Sequence, residues 1–279
     1  MASFIEPTTT DVCRTLFADM APSDAAFATG FTEEQTEALV NALADLDEPP
    51  TVHVLVMEDV LKWLRRDFHL ASTVADLVDI GALSMRVTED AIANTTITTD
   101  GSVVSLVTPN GRTAGLATDN EEFVRSMREQ ASEAWEAATA ADLRTPPRSQ
   151  VYETLADELG SEVEADYRSM LDAVGATRSG YRSTDDDLDE VELNVLAGAK
   201  QDVQLFELSN WGERVGLASK ATFSRTKNRL EDHGLVDTEK VPVEIGRPRQ
   251  RLVLSEQLRG YEASELPAAV RDELRAAPA

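Results

Sequence analysis

Cysteine, histidine, lysine and long apolar runs are all scarce in this chain, and each scarcity removes a class of function. Cys13 is the only cysteine in 279 residues, so one chain forms no internal disulfide and no thiolate metal cluster. Histidine occurs only at His53, His69 and His233, which leaves little for histidine-based chemistry. No apolar run approaches the ~18 residues of a membrane span. The opening Met-Ala-Ser-Phe-Ile-Glu-Pro has neither the basic n-region nor the apolar h-region of a secretory signal. These features predict a soluble cytoplasmic protein. Lysine occurs only at positions 62, 200, 220, 227 and 240, against 21 arginines.

What is abundant is acid. The 51 Asp+Glu set a formal net charge of −25 and a pI near 4.4. Many acids with few lysines match the composition of salt-in haloarchaeal proteins. Carboxylates stay hydrated in concentrated salt, whereas long ammonium stems add apolar surface. So acidic a chain argues at first against a nucleic-acid partner, because phosphate repels carboxylate. Where the charge sits decides the matter. The 42% of hydrophobic residues are enough to build cores, and the length suits about two domains.

Residues 1–48 are expected to be helical, with a capping box at Thr32-Glu-Glu-Gln35 and a stop at Pro49-Pro50. Thr51 to Met57 has the apolar, β-branched content of a buried strand. Helices are expected over Glu58–Leu70 and Ser72–Ile80, the second capped by Ser72. Strands follow at Ala82–Thr88, Asn94–Thr99, Ser102–Thr108 and Arg112–Thr118, with turns at Asp100-Gly101 and Asn110-Gly111. Asp119 is expected to cap a helix to about Ala140, with Phe123, Met127, Ala131 and Trp135 inward. The predicted layout is α+β. Residues 1–145 form a mixed α/β effector or dimerisation domain. Residues 146–187 form a helical hairpin, broken at Gly160, and an acidic linker ending in Asp185-Asp186-Asp187. Residues 188–260 form a winged helix-turn-helix domain, and residues 261–279 a C-terminal helix. In that last helix Leu266, Val270 and Leu274 offer a contact to a partner chain.

The segment 188–255 carries the functional signal. Leu188, Val191, Val195 and Ala199 share a face of a first helix, and a second runs from about Val203 to Trp211. Ser219 is placed to cap a third helix, Lys220 to His233, which Gly234 ends. Leu235–Val241 and Arg249–Leu254 then alternate as the strands of a hairpin. In the third helix Phe223, Thr226 and Leu230 point inward at i, i+3 and i+7. Lys220, Ala221, Ser224, Arg225, Asn228 and Arg229 face out, with Thr222 near the start. Such side chains suit phosphate and base-edge contacts. At the hairpin tip Gly246 permits a tight turn and Pro248 stiffens it, so that Arg247 and Arg249 project. Charge agrees: residues 214–251 hold nine Lys+Arg and five Asp+Glu, a local +4 that leaves −29 elsewhere. The candidate DNA contacts are therefore Ser219, Lys220, Thr222, Ser224, Arg225, Asn228, Arg229, Arg247 and Arg249.

Leu217-Ala-Ser-Lys-Ala-Thr-Phe-Ser-Arg225, Leu230-Glu-Asp-His-Gly-Leu-Val236 and Gly246-Arg-Pro248 resemble winged-helix regulators of the ArsR/MarR/TrmB type. In the front block, Thr99-Asp-Gly-Ser-Val-Val-Ser-Leu-Val107, Gly115-Leu-Ala-Thr-Asp119 and Phe123 with Trp135 resemble the effector domain of TrmB-like sugar-responsive regulators, of phospholipase D-like fold. The whole layout resembles the haloarchaeal TbsP (TrmB-suppressor) family. The resemblance implies sequence-specific control of central carbon or sugar metabolism genes. It also implies double-stranded promoter DNA as partner, a homodimer, and a small-molecule metabolite effector.

Enzyme patterns fail. A phospholipase D-type site needs lysine two residues after its histidine, but His53 is followed by Val54 and Leu55, and His69 by Leu70 and Ala71. No triad or phosphate-cradling glycine loop is evident. The expectation is no catalysis, no cofactor and no metal, with His53 a hydrogen-bonded core residue. A different class of function, a winged helix that docks a transcription-machinery protein rather than DNA, predicts no DNA footprint.

Overall fold

The structure, a computed structural model, describes residues 4–90, 94–109, 112–178, 188–242 and 248–276. The Asn110-Gly111 turn, residues 179–187 of the linker, and Gly246 and Arg247 lie outside the described residues. The chain divides into two compact units, 1–147 and 148–279. The helical hairpin therefore belongs to the C-terminal unit.

The N-terminal unit is built on one mixed sheet of eight strands. In chain order they are β1 (Phe4–Glu6), β2 (Ala25–Thr29), β3 (Thr51–Met57), β4 (Leu83–Thr88), β5 (Thr96–Thr98), β6 (Val103–Val107), β7 (Thr113–Thr118) and β8 (Thr139–Ala140). They lie in the spatial order β1-β7-β6-β5-β2-β3-β4-β8. β2, β3 and β4 are parallel, and the other pairs are antiparallel. The helices are α1 (Thr9–Ala18), α2 (Glu33–Ala44), α3 (Glu58–Leu64), α4 (Phe68–Asp79) and α5 (Glu121–Ala137). Strand alternation sends Val52, Val54, Val56, Ile97, Val104 and Leu106 to one face. There they join Leu16, Phe17, Leu39, Leu43, Leu64 and Val74 of α1 to α4 in the main core. α5 packs against the opposite face, over β2, β4 and β5.

Several local expectations are corrected. Residues 1–48 are not all helical. Ala25-Ala-Phe-Ala-Thr29 has helix-favouring alanines, yet burial between β3 and β5 makes it a strand, tertiary context overriding propensity. β1 forms because Phe4 fills the space that a side chain at Gly115 would need; a Cβ there would lie 2.9 Å from its ring. α4 is capped by Asp67, not Ser72, which is buried inside it. α5 is capped by Asn120, not Asp119. On α5 Val124 and Ala131 are buried, whereas Phe123 is exposed. The capping box at Thr32 and Gln35 is present.

The C-terminal unit comprises α6 (Arg148–Leu159), α7 (Ser161–Arg178), α8 (Glu190–Lys200), α9 (Leu205–Arg214), α10 (Lys220–Asp232), β9 (Val236–Val241), β10 (Arg249–Leu254) and α11 (Leu266–Ala276). Its plan is a helical hairpin, three helices, a two-stranded wing and a final helix. α8 is buried all round from Val191 to Ala199 rather than amphipathic, because α7, α9, α10 and β10 all pack on it. Leu266 and Val270 are fully buried, and α11 packs on α7 of its own chain, so these two are not free for a partner. Among the described residues no helix is long and apolar enough to cross a membrane.

Candidate DNA interface and ligand pocket

α9, the following turn and α10 form the helix-turn-helix. Trp211 and Phe223 are both fully buried; the Phe223 ring packs over Gly212 of α9, and Trp211 Nε1 donates to Thr154 of α6 at 3.0 Å. Gly212 makes the approach possible, since a Cβ there would lie 2.3 Å from Phe223 Cε2. Ser219 caps α10, its hydroxyl accepting from the Thr222 N–H at 3.2 Å. Gly234 follows the helix with φ of 66°, a left-handed conformation in which glycine carries no Cβ penalty. Phe223, Thr226 and Leu230 are buried as expected.

The predicted contact residues divide by what they touch. Ser219 and Thr222 share a hydroxyl contact of 2.9 Å. Lys220 Nζ lies 3.3 Å from Glu213 Oε2. Ser224, Arg225 and Asn228 are exposed. Arg225 is held only through Nε to the Ala221 carbonyl (3.4 Å) and Nη2 to Thr222 Oγ1 (3.3 Å). Among the described residues no carboxylate lies within ion-pair distance of it. Arg229 is different. It forms an ion pair with Glu192 of α8, whose side chain is 2% exposed. Arg247 lies outside the described residues, and Arg249 heads β10, paired with Val241 at the loop end of the wing.

The local +4 is thus largely spent. Arg214 pairs with Glu158, and Arg251 lies 3.9 Å from Glu239. Lys227 is buried and bonds Glu231 at 2.8 Å. Glu231 also accepts from Thr238. Its carboxyl is held below the usual range, first by the Lys227 hydrogen bond and then by that from Thr238. Sequence reasoning missed Gly212, Glu192 and Phe206. Only Glu192 had a local signal, the capping box it completes with Asp189.

The N-terminal unit holds two polar places. A pocket of about 550 Å³ is lined by Gly30, Phe31, Thr32, Glu33, Glu34, Leu55, Met57, Asp59 and Val60. It sits at the carboxyl ends of parallel strands β2 and β3, where open α/β sheets place their ligands. Its lining carries three carboxylates and no cation. Under α5, His53 Nδ1 lies 2.6 Å from Ser84 Oγ, and its ring meets Phe27 and Trp135. Burial, then Arg128 and Arg86, push its pKa down. His53 is hydrogen-bonded as expected, but it is only partly buried and lies outside the main core. Among the described residues no group of three or more His, Cys, Asp or Glu is placed to hold a metal ion.

Comparison with known proteins agrees with this geometry. Residues 1–146 match the N-terminal domain model of TbsP-like transcriptional regulators. Residues 147–271 match their C-terminal helix-turn-helix domain model. The chain belongs to this family of transcriptional regulators. No curated protein matches it. A similar solved structure is that of TrmBL2, described as an archaeal chromatin protein that shows a novel mode of DNA binding. The identity is 14% and the TM-score 0.35, over 50% of this chain and 54% of that one. The chain thus spans about half the length of that protein.

Proposed function

We propose that this family member binds double-stranded promoter DNA sequence-specifically, as a homodimer, through the N-terminal part of α10 and the wing. One observation carries the reading. On a chain of net charge −25, Arg225 stands exposed beside Ser224 and Asn228 on a capped helix, with no carboxylate partner among the described residues. Ser219, Lys220, Thr222, Ser224, Arg225 and Asn228 make the contacts, with Arg247 and Arg249 reaching from the wing. Arg229 serves chiefly to hold α8. A dimer sets two half-sites about one helical turn apart. In molar salt the Debye length is about 3 Å, so these contacts act through hydrogen bonds and shape.

In this proposal the N-terminal unit is a TrmB-like effector domain, and its pocket receives a small-molecule metabolite. The acid-rich, lysine-poor composition supports a haloarchaeal cytoplasm. The resemblance to sugar-responsive regulators supports central carbon or sugar metabolism genes as targets. Genome-wide DNA occupancy tests the reading directly: enriched sites should share one motif with two half-sites. Arg225→Ala, or Arg247→Ala with Arg249→Ala, should weaken binding to those sites while leaving the fold intact. Unchanged affinity in both would remove the assigned surface.

A further inference from the structure

The loop end of the wing contains an arrangement that the recognition-helix pattern does not account for. Phe206, in the first turn of α9, is 49% exposed. The Arg249 guanidinium lies over its ring, 4.4 Å from the centroid. The backbone explains why they meet. Residue 204 forms an antiparallel bridge with Arg251, and Leu252 N–H donates to the Val203 carbonyl at 2.9 Å. These contacts hold the start of α9 beside β10, and from the first turn of α9 Phe206 meets Arg249.

Polar neighbours hold Arg249 only loosely. Nη1 lies 3.5 Å from Gln204 Oε1 and 3.8 Å from Glu207 Oε1. Gln204 provides no side-chain cap to α9. The carboxylate contact is long, partly exposed and screened by salt. The ring contact rests on the quadrupole and on packing at van der Waals range, which salt screens little. Stacking also leaves the edge of the guanidinium, with its N–H donors, open to another acceptor.

We propose that Phe206 is a positioning residue for DNA binding: its ring fixes the Arg249 guanidinium at the loop end of the wing, donors outward, to take a backbone phosphate. The inference rests on the DNA-binding reading above. Arg251, two positions along the same strand, lies 3.9 Å from Glu239; the ring contact is what sets Arg249 apart. A phosphate contact is indifferent to sequence, so mixed-sequence duplex DNA reports it.

The test uses the full chain, a labelled mixed-sequence DNA duplex and a KCl titration. Phe206→Leu keeps an apolar side chain and removes the ring. It should weaken binding about two- to fivefold with an unchanged unfolding transition. Phe206→Tyr should restore affinity. Arg249→Ala should lower the slope of log affinity against log salt by about one contact. In the Arg249→Ala background, Phe206→Leu should have no further effect. An equal loss in both backgrounds makes Phe206 merely structural and overturns the proposal, as does full affinity in Phe206→Leu. A wild-type chain that binds no duplex overturns the DNA reading itself, and this inference with it. Binding that ignores Phe206 overturns the inference alone.

Discussion

The two halves of α10 look alike in sequence and do opposite work. From Lys220 to Arg225 the helix has an N-cap, an exposed hydroxyl at Ser224 and an arginine whose contacts, among the described residues, are to its own helix. From Thr226 to Asp232 both cations are committed, while Asn228 stays exposed. Lys227 is buried on Glu231, Glu231 also takes a hydrogen bond from Thr238 on β9, and Arg229 neutralises Glu192 of α8. The first half leaves Arg225 to touch something outside the chain, and the second, Asn228 apart, anchors the helix to α8 and the wing. Charge density alone does not separate them: Arg225 and Arg229 are the same residue type one turn apart. The partner of each cation tells them apart.

The largest expected effect tests the anchor. Arg229→Ala leaves the buried Glu192 carboxylate with only the Asp189 N–H at 2.9 Å. Breaking a buried pair costs about 3–5 kcal/mol. Arg229 is half-exposed, so water offsets part of this and the expected loss is about 2–4 kcal/mol. Urea unfolding in molar KCl measures it. Adding Glu192→Gln should recover most of the loss, because the uncompensated charge is gone. Full stability in Arg229→Ala, with weakened DNA binding, would move Arg229 to the contact half. Gly212→Ala comes next. Its Cβ would overlap the Phe223 ring, and overpacking of this kind costs about 1–3 kcal/mol. Phe223→Leu in the same chain should relieve part of it.

Arg225→Ala tests the other half. The side chain is exposed and makes no ion pair among the described residues, so stability should move by less than about 0.5 kcal/mol. DNA affinity should fall by about tenfold, within the ~1–3 kcal/mol of an arginine contact to a base edge. Anisotropy and thermal unfolding on the same preparation separate the two quantities. A drop in melting temperature as large as that of Arg229→Ala would erase the distinction between the halves.

How much of this was legible in the sequence depends on the range of the interaction. The Ser219 cap, the Phe223–Thr226–Leu230 stripe, the Gly234 stop and the hairpin are local patterns, and the structure has all of them, although β10 loses its alternation where Leu252, Val253 and Leu254 are all buried. Adjacent candidates misled. Asp119 and Asn120 can each cap, and only the chain path after β7 chooses Asn120. Phe123 and Val124 lie about 100° apart on α5, so a small rotation exchanges which is buried. β2 was hidden by its alanines, and β1 by its three-residue length. The partners of the cations were illegible, because Glu192 is 37 positions from Arg229 and no local spacing links them. The apolar stripe of α11 announced burial but not its target, which is α7 of the same chain.

The smallest predicted effect concerns Glu231, which joins the anchor half to the wing. Its carboxyl is held below the ordinary value by Lys227 and Thr238. A depressed carboxylate contributes stability that is present above the unfolded-state value of about 4.3 and is lost as pH falls through the lower folded-state value. Wild-type stability should therefore decline below about pH 4.3 with a contribution that Glu231→Gln lacks. The variant should lie slightly below wild type at neutral pH and converge on it in acid, because protonated Glu231 and glutamine are near equivalents. Urea midpoints across that range measure the convergence. Parallel curves for the two proteins would mean that Lys227 and Thr238 do not stabilise the charged carboxylate. The link between the end of α10 and β9 would then rest on packing alone.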